Sequence, residues 1–216
     1  MMRILIADDH PLFREALKQA VSQRFDQAHI DEADSLATIE KLGEQQIPFD
    51  LILLDLHMPG SHGFSALVYL REQYSKVPLV VISATEDVDV IHRAMHFGAD
   101  GFIPKSTPID AMGQAMADIL AGQQWLPEKA RRVRPPELPD HSAMRDRITS
   151  LTPQQFRVMG MLMEGSQNKI IAYELHVSEA TIKAHMTAIF RKLGVRNRTQ
   201  AVLALKDLAI EPPGID

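Results

Sequence analysis

Five polar residues follow or close four short apolar runs in the first half of the chain: Asp8 and Asp9 in RILIADD, Asp55 in LILLDL, Ser83 in PLVVIS and Lys105 in GFIPK. Three carboxylates, a hydroxyl and an ammonium suit a divalent cation and a phosphoryl group. They meet only if the runs are parallel strands of one sheet, because open α/β sheets bind ligands outside the carboxyl ends of their strands.

Mg²⁺ is a hard cation that takes oxygen ligands, keeps several waters and suits one or two carboxylates plus phosphate oxygens. Asp9 and Asp55 are the expected direct ligands. Asp8 is expected to act through water, and the carbonyl of His57 to add a further oxygen. Asp55 has a second expected role as nucleophile, since a carboxylate can accept a phosphoryl group as an acyl phosphate. Like charges at ~4 Å repel by about 4 kcal/mol at an effective dielectric of 20, so a carboxylate among carboxylates needs a cation before it attacks an anionic donor. Lys105 would pair with one phosphoryl oxygen, and Ser83 would donate to another.

The surrounding pattern supplies the strands. Arg3–Ala7 reads as a buried strand, Leu51–Leu54 is apolar throughout, as a strand covered on both faces should be, and Leu79–Ile82 is a third strand. Ile30–Ala33 and Phe102–Ile103 are weaker strand signals. Helical periodicity fills the gaps from Pro11, after a Ser35 cap, and over Phe64–Gln73, Val88–His96 and Ile109–Leu120. Five β/α repeats predict an α/β doubly wound, five-stranded parallel sheet. From 123 to 147 the pattern breaks at Pro127, Pro135, Pro136 and Pro139, with Arg131, Arg132 and Arg134 among them. That span reads as a linker. Beyond it only helices are signalled, at about Pro153–Glu164, Asn168–Leu175, Glu179–Leu193 and Thr199–Leu208.

The chain has 216 residues, no cysteine and a formal net charge of −5. The absence of cysteine excludes disulfides, thiolate catalysis and Cys-ligated zinc. No apolar run approaches the ~18 residues of a membrane span, and the first ten residues are too short and acidic for a signal peptide. The expectation is a soluble cytoplasmic protein with no membrane partner. The net charge conceals an asymmetry: residues 1–122 carry 9 Lys+Arg against 18 Asp+Glu, residues 152–206 carry 8 against 3. A basic C-terminal module on an acidic one suggests that only the former meets a polyanion.

The strings ADDH, LILLDLHMPG, VVISA and GADGFIPKS resemble the receiver domain of bacterial two-component response regulators. The resemblance spans nearly all of residues 1–122 and implies a flavodoxin-like domain with Mg²⁺ as cofactor. It makes Asp55 the phosphoacceptor, Asp8 and Asp9 the acidic pair, Ser83 the switch hydroxyl and Lys105 the active-site lysine. Phe102 takes the place of the aromatic switch residue, often Tyr in the family.

In Glu179–Leu193, Ile182, Met186, Ile189 and Leu193 form a core stripe, while Ala180, Lys183, Ala184, Thr187 and Arg191 form a small, polar, cationic face. Ser178 can cap this helix and Gly194 can end it. The preceding helix is only a three-residue turn away, which predicts a helix-turn-helix whose second helix enters the major groove of DNA. The strings LTP, NKIIA, SEATIKAH and KLGVRNRTQA resemble a LuxR-type DNA-binding domain as found in NarL/FixJ-class response regulators. That implies an all-α, four-helix module at 148–216 with Lys183, Ala184 and Thr187 facing bases. Asn168, Lys169, Ser178, Arg191, Lys192, Arg196 and Arg198 are candidate phosphate contacts. His176 stands where the family commonly has Gly.

In the last helix, Ala201, Val202, Leu205 and Leu208 either pack on their own domain or form a homodimer contact on DNA. His92 and His96 have a competent metal-ligand spacing but no evident third ligand, and are expected at a surface or interface. The whole reads as a transcription factor switched by phosphorylation of Asp55 from a partner histidine kinase, with dimerisation altered or the DNA-binding domain released. Two other readings stand beside it: a Mg²⁺-dependent phosphatase or phosphotransferase, and a constitutive DNA binder whose receiver no longer signals. The first lacks a DxDxT nucleophile motif.

Overall fold

A computed structural model of the chain describes residues 2–61, 63–134 and 142–205. They divide into two compact units, the first holding residues 2–134 and the second residues 142–205.

The first unit runs β1 (Arg3–Ala7), α1 (Pro11–Arg24), β2 (His29–Ala33), α2 (Leu36–Glu44), β3 (Leu51–Asp55), α3 (Ser65–Gln73), β4 (Leu79–Ser83), α4 (Val88–His96), β5 (Gly101–Pro104) and α5 (Ile109–Leu120). The strands form one parallel sheet in the order β2-β1-β3-β4-β5. Every residue of β3 and β4 is buried, the consequence of helices covering both faces of a sheet rich in Leu, Ile and Val. Ile4, Ile6, Leu53, Val80, Ile82 and Ile103 pack with Leu17 of α1 and Met116 of α5 in one core cluster.

The weak signal of β2 has a physical cause. It is an edge strand whose polar residues His29, Asp31 and Glu32 remain at least partly exposed, and charge holds it in place. Arg3 donates to Asp31 at 2.6 and 2.9 Å, which holds the Asp31 carboxyl below its ordinary value. Arg14 and Lys18 both reach Glu32 at 3.0 Å.

The span read as linker is only partly one. Residues 123–134 fold onto the first unit: Trp125 bridges in parallel to Gly101, its carbonyl accepts from the Phe102 N–H at 2.9 Å, and the short helix α6 (Glu128–Arg131) buries Ala130. His92 of α4 is 5% exposed, not at a surface, and its Nε2 lies 3.1 Å from the Ala130 carbonyl. Proline-rich composition masked these anchors, because a single Trp and a single Ala leave no periodic signal. Replacing His92 with alanine is expected to destabilise the first unit by about 2 kcal/mol through the lost hydrogen bond and packing. Urea unfolding measures this, and an unchanged midpoint would show that the tether contributes nothing.

Among the described residues the second unit contains α7 (Ser142–Thr149) and then the four expected helices, α8 (Pro153–Met163), α9 (Asn168–Glu174), α10 (Glu179–Leu193) and α11 (Arg198–Leu205). The additional one is α7, which the linker reading had absorbed. Ile148 anchors it in the core, and Arg147 donates to the Leu193 carbonyl at 3.0 Å. Thr152 and Gln155 form a reciprocal capping box at the start of α8, which satisfies two otherwise orphaned N–H groups.

Candidate phosphoryl site and nucleic-acid interface

The strand register brings the sequence-predicted residues of the first unit to one edge. Ala7 is paired with Leu54, Asp55 with Ile82 and Ser83 with Pro104, so Asp8, Asp55, Ser83 and Lys105 stand at successive carboxyl ends. Backbone bonds lock the connections: Asp8 N–H to the Ala33 carbonyl at 3.0 Å and Lys105 N–H to the Ser83 carbonyl at 2.7 Å. Arg14 donates to the Asp8 carbonyl at 2.7 Å.

Asp8 and Asp55 are each only 1% exposed. Lys105 Nζ lies 2.7 Å from Oδ2 of both, packed over the ring of Phe13 at 4.7 Å. Burial works against the Lys105 charge, but the hydrogen bonds to Asp55 and Asp8 outweigh it, and the ammonium is held above the ordinary lysine value. Two buried anions sharing one cation are held in position by mutual charge. Backbone N–H groups fix the remaining oxygens. His57 donates to Asp55 Oδ1 at 3.1 Å and His10 to Asp8 Oδ1 at 2.8 Å. Asp9 is partly exposed at the mouth. Ser83 is fully buried, and its Oγ accepts from the Thr85 N–H at 3.3 Å.

Oxygens of Asp8, Asp9 and Asp55 and a ring nitrogen of His10 all lie within 4.8 Å of one another. This donor set fits a divalent cation, with the three carboxylates supplying hard oxygens. His10 was missed by sequence reasoning. It stands inside the string ADDH, but one histidine beside two aspartates carries no periodicity to show that its ring turns inward. Phe102, at the position of the aromatic switch residue, is fully buried in β5, with its backbone tied to Trp125.

In the second unit, α9 ends at Glu174 with Leu175 as its C-cap, and His176 takes a left-handed φ of 53°, a conformation His tolerates better than most side chains. Ser178 caps α10 by accepting from Thr181 N–H at 3.1 Å, and Gly194 ends it with a φ of 71°. Ile182, Met186, Ile189 and Leu193 are buried, while Lys183, Ala184, Thr187 and Arg191 are exposed. One face of α10 is thus committed to the core and the opposite face is open. Lys169, Ser178 and Arg196 are also exposed, and Asn168 is half-buried.

Two candidate phosphate contacts are used internally. Lys192 donates to Gln155 Oε1 at 2.8 Å and to the Ser150 carbonyl. Arg198 donates to the carbonyls of Leu162 and Ser166 at 3.0 and 2.9 Å. Both side chains are thus bonded to backbone carbonyls of their own unit. Ala201 and Leu205 are fully buried, so they belong to the domain core and not to a dimer contact. Val202 is half-buried, Leu203 is 63% exposed, and Leu208 lies outside the described residues. Periodicity placed Ala201 and Leu205 on one stripe but could not say that α8 and α10 pack against α11.

Comparisons agree with this geometry. The family described as "Response regulator receiver domain" matches residues 4–117, and "Bacterial regulatory proteins, luxR family" matches residues 149–205. The chain is 40% identical over 213 residues to a glycerol metabolism activator of Pseudomonas putida, covering 96% of each chain. It is 32% identical over 201 residues to the nitrate/nitrite response regulator protein NarL of Escherichia coli K12, covering 93% of each. A solved structure of the RcsB response regulator of Salmonella typhimurium shares the fold, with a TM-score of 0.56 at 19% identity over 95% of this chain and 98% of that one. The chain belongs to the response regulators, in the class that joins a receiver domain to a LuxR-type helix-turn-helix domain. It is a DNA-binding transcriptional regulator and not a typical enzyme.

Proposed function

We propose that Asp55 is the phosphoacceptor, that a partner histidine kinase supplies the phosphoryl group, and that the modification controls binding of the second unit to promoter DNA. The observation that carries this reading is the buried Asp55 carboxylate, paired at 2.7 Å with Lys105 inside the acidic cluster. An Oδ of Asp55 bonds to phosphorus as the donor's P–N bond breaks, and the donor nitrogen leaves with the electron pair. Lys105 then turns from the carboxylate to a phosphoryl oxygen, and the Ser83 hydroxyl donates to another. Asp9 and Asp55, with Asp8 and the His57 carbonyl, would hold Mg²⁺, which offsets the charge of the incoming group. The same site would return the phosphoryl group to water, the only turnover assigned to the chain.

Phosphorylation adds nearly two negative charges and three acceptor oxygens. That charge redistributes the hydrogen bonds of Ser83 and Lys105, at the ends of β4 and β5, and so biases α4, α5 and the Trp125–Ala130 segment toward a second conformation. Because Phe102 is already inside, that second conformation does not require its ring to enter. The active form is proposed to bind DNA as a homodimer, in the cytoplasm, with Val202 and Leu208 the remaining candidates of the last helix. The solved RcsB–DNA complex, a protein of the same fold, supports DNA as the partner.

On DNA, Lys183, Ala184 and Thr187 face the bases, and Asn168, Lys169, Ser178, Arg191 and Arg196 meet phosphates. Replacing Lys183 with alanine is expected to cost about 1–3 kcal/mol at one base pair without lowering the melting temperature. Arg198→Ala is expected to do the reverse first, destabilising the second unit by about 1–3 kcal/mol through its lost carbonyl bonds. Binding titrations beside thermal melts separate the two, and equal melting temperatures for both variants would contradict the assignment. Intact mass after acetyl phosphate treatment tests the cation requirement. One phosphoryl group is expected with Mg²⁺ and none with a chelator, and equal modification in both would refute it.

A further inference from the structure

His10 stands at the N-cap of α1 but makes no side-chain cap bond. Its imidazole turns instead to the acidic cluster, with Nδ1 at 2.7 Å from Asp9 Oδ1, 3.4 Å from Asp8 Oδ1 and 3.9 Å from Asp55 Oδ2. Donors at about 2.1 Å around an octahedral cation are about 3 Å apart at adjacent positions and about 4.2 Å apart at opposite ones. The separations of Nδ1 from these oxygens fall near or within that range, so with small adjustments the imidazole can reach a centre held by Asp9 and Asp55. The ring is 64% exposed, which leaves it free to make them.

We propose that His10 is a nitrogen ligand of this site and tunes it toward first-row transition-metal divalent cations. The inference rests on the reading of Asp8, Asp9 and Asp55 as a cation site. Carboxylate and carbonyl oxygens alone suit Mg²⁺, whereas an imidazole adds affinity for transition metals and little for Mg²⁺. The tautomer with its proton on Nε2 presents the Nδ1 lone pair to the cluster. The bland alternative is that His10 only hydrogen-bonds Asp9.

The test uses the full chain with Mn²⁺ as probe. Pulsed electron paramagnetic resonance of the bound Mn²⁺ is expected to show coupling to one ¹⁴N nucleus, lost in His10→Ala. Titration is expected to show Mn²⁺ binding about tenfold weaker in that variant while Mg²⁺ binding stays within about twofold. His10→Gln, which keeps a polar side chain at the position, is expected to behave like His10→Ala, since an amide does not ligate through nitrogen. Mn²⁺ that binds without nitrogen coupling, or variants that weaken both cations equally, would overturn the assignment of His10 while leaving the carboxylate site intact. Failure of both cations to bind the folded wild-type chain would overturn the carboxylate site itself and this inference with it.

Discussion

Asp55→Asn is expected to abolish phosphoryl acceptance from acetyl phosphate and from a histidine kinase alike, and with it every phosphorylation-dependent change in DNA affinity. The amide keeps the size and hydrogen-bonding reach of the side chain but is not a carboxylate nucleophile. Asp8 and Asp9 do not substitute for it. Asp8 is committed through its two oxygens to Lys105 and to the His10 N–H, and Asp9 stands at the mouth of the site. Intact mass spectrometry before and after donor treatment reads the outcome directly. A variant that gained one phosphoryl group at full stoichiometry would show that Asp55 is not the acceptor.

Lys105→Ala is expected to carry the largest stability effect of any change at the site. It leaves the Asp8 and Asp55 carboxylates, each 1% exposed, without their shared cation. Removing one partner of a buried ionic arrangement costs about 3–5 kcal/mol, a large part of the total stability of a domain. The sign reverses for ligand binding. With the ammonium gone, the carboxylates are expected to bind Mg²⁺ more tightly, and saturating Mg²⁺ is expected to restore part of the lost stability. Denaturant unfolding with and without Mg²⁺ measures both. A variant as stable as the wild type in the absence of Mg²⁺ would contradict the account of Lys105 as the internal counter-ion of the site.

The sheet was legible because β3 and β4 are apolar at every position before their closing Asp55 and Ser83, which no amphipathic helix of that length would be. The site was legible because five chemically apt residues recur at the ends of four such runs, and parallel topology then dictates that they meet. The edge strand β2 gave a weaker signal because its stability comes from pairing with β1 and from Arg3, Arg14 and Lys18, not from an apolar pattern. The docked segment around Trp125 and Ala130 and the helix α7 were hidden by proline and arginine composition, since isolated anchors have no period. The phosphate contacts were over-assigned for a related reason. Charge and position alone do not distinguish Arg196, which is exposed, from Arg198, which is spent on two carbonyls of its own domain. His10 escaped notice because its role depends on where its ring turns, a property of tertiary structure.

The central claim is that one phosphoryl group on Asp55 changes how the second unit meets DNA. Its most direct measurement is the affinity of the full chain for a DNA site it has itself selected from a random-sequence pool, titrated at fixed salt before and after acetyl phosphate with Mg²⁺, with the phosphorylated fraction read by mass on the same samples. The account predicts tighter binding in proportion to that fraction, and no change for Asp55→Asn. Quantitative phosphorylation of Asp55 with an unaltered dissociation constant would contradict it.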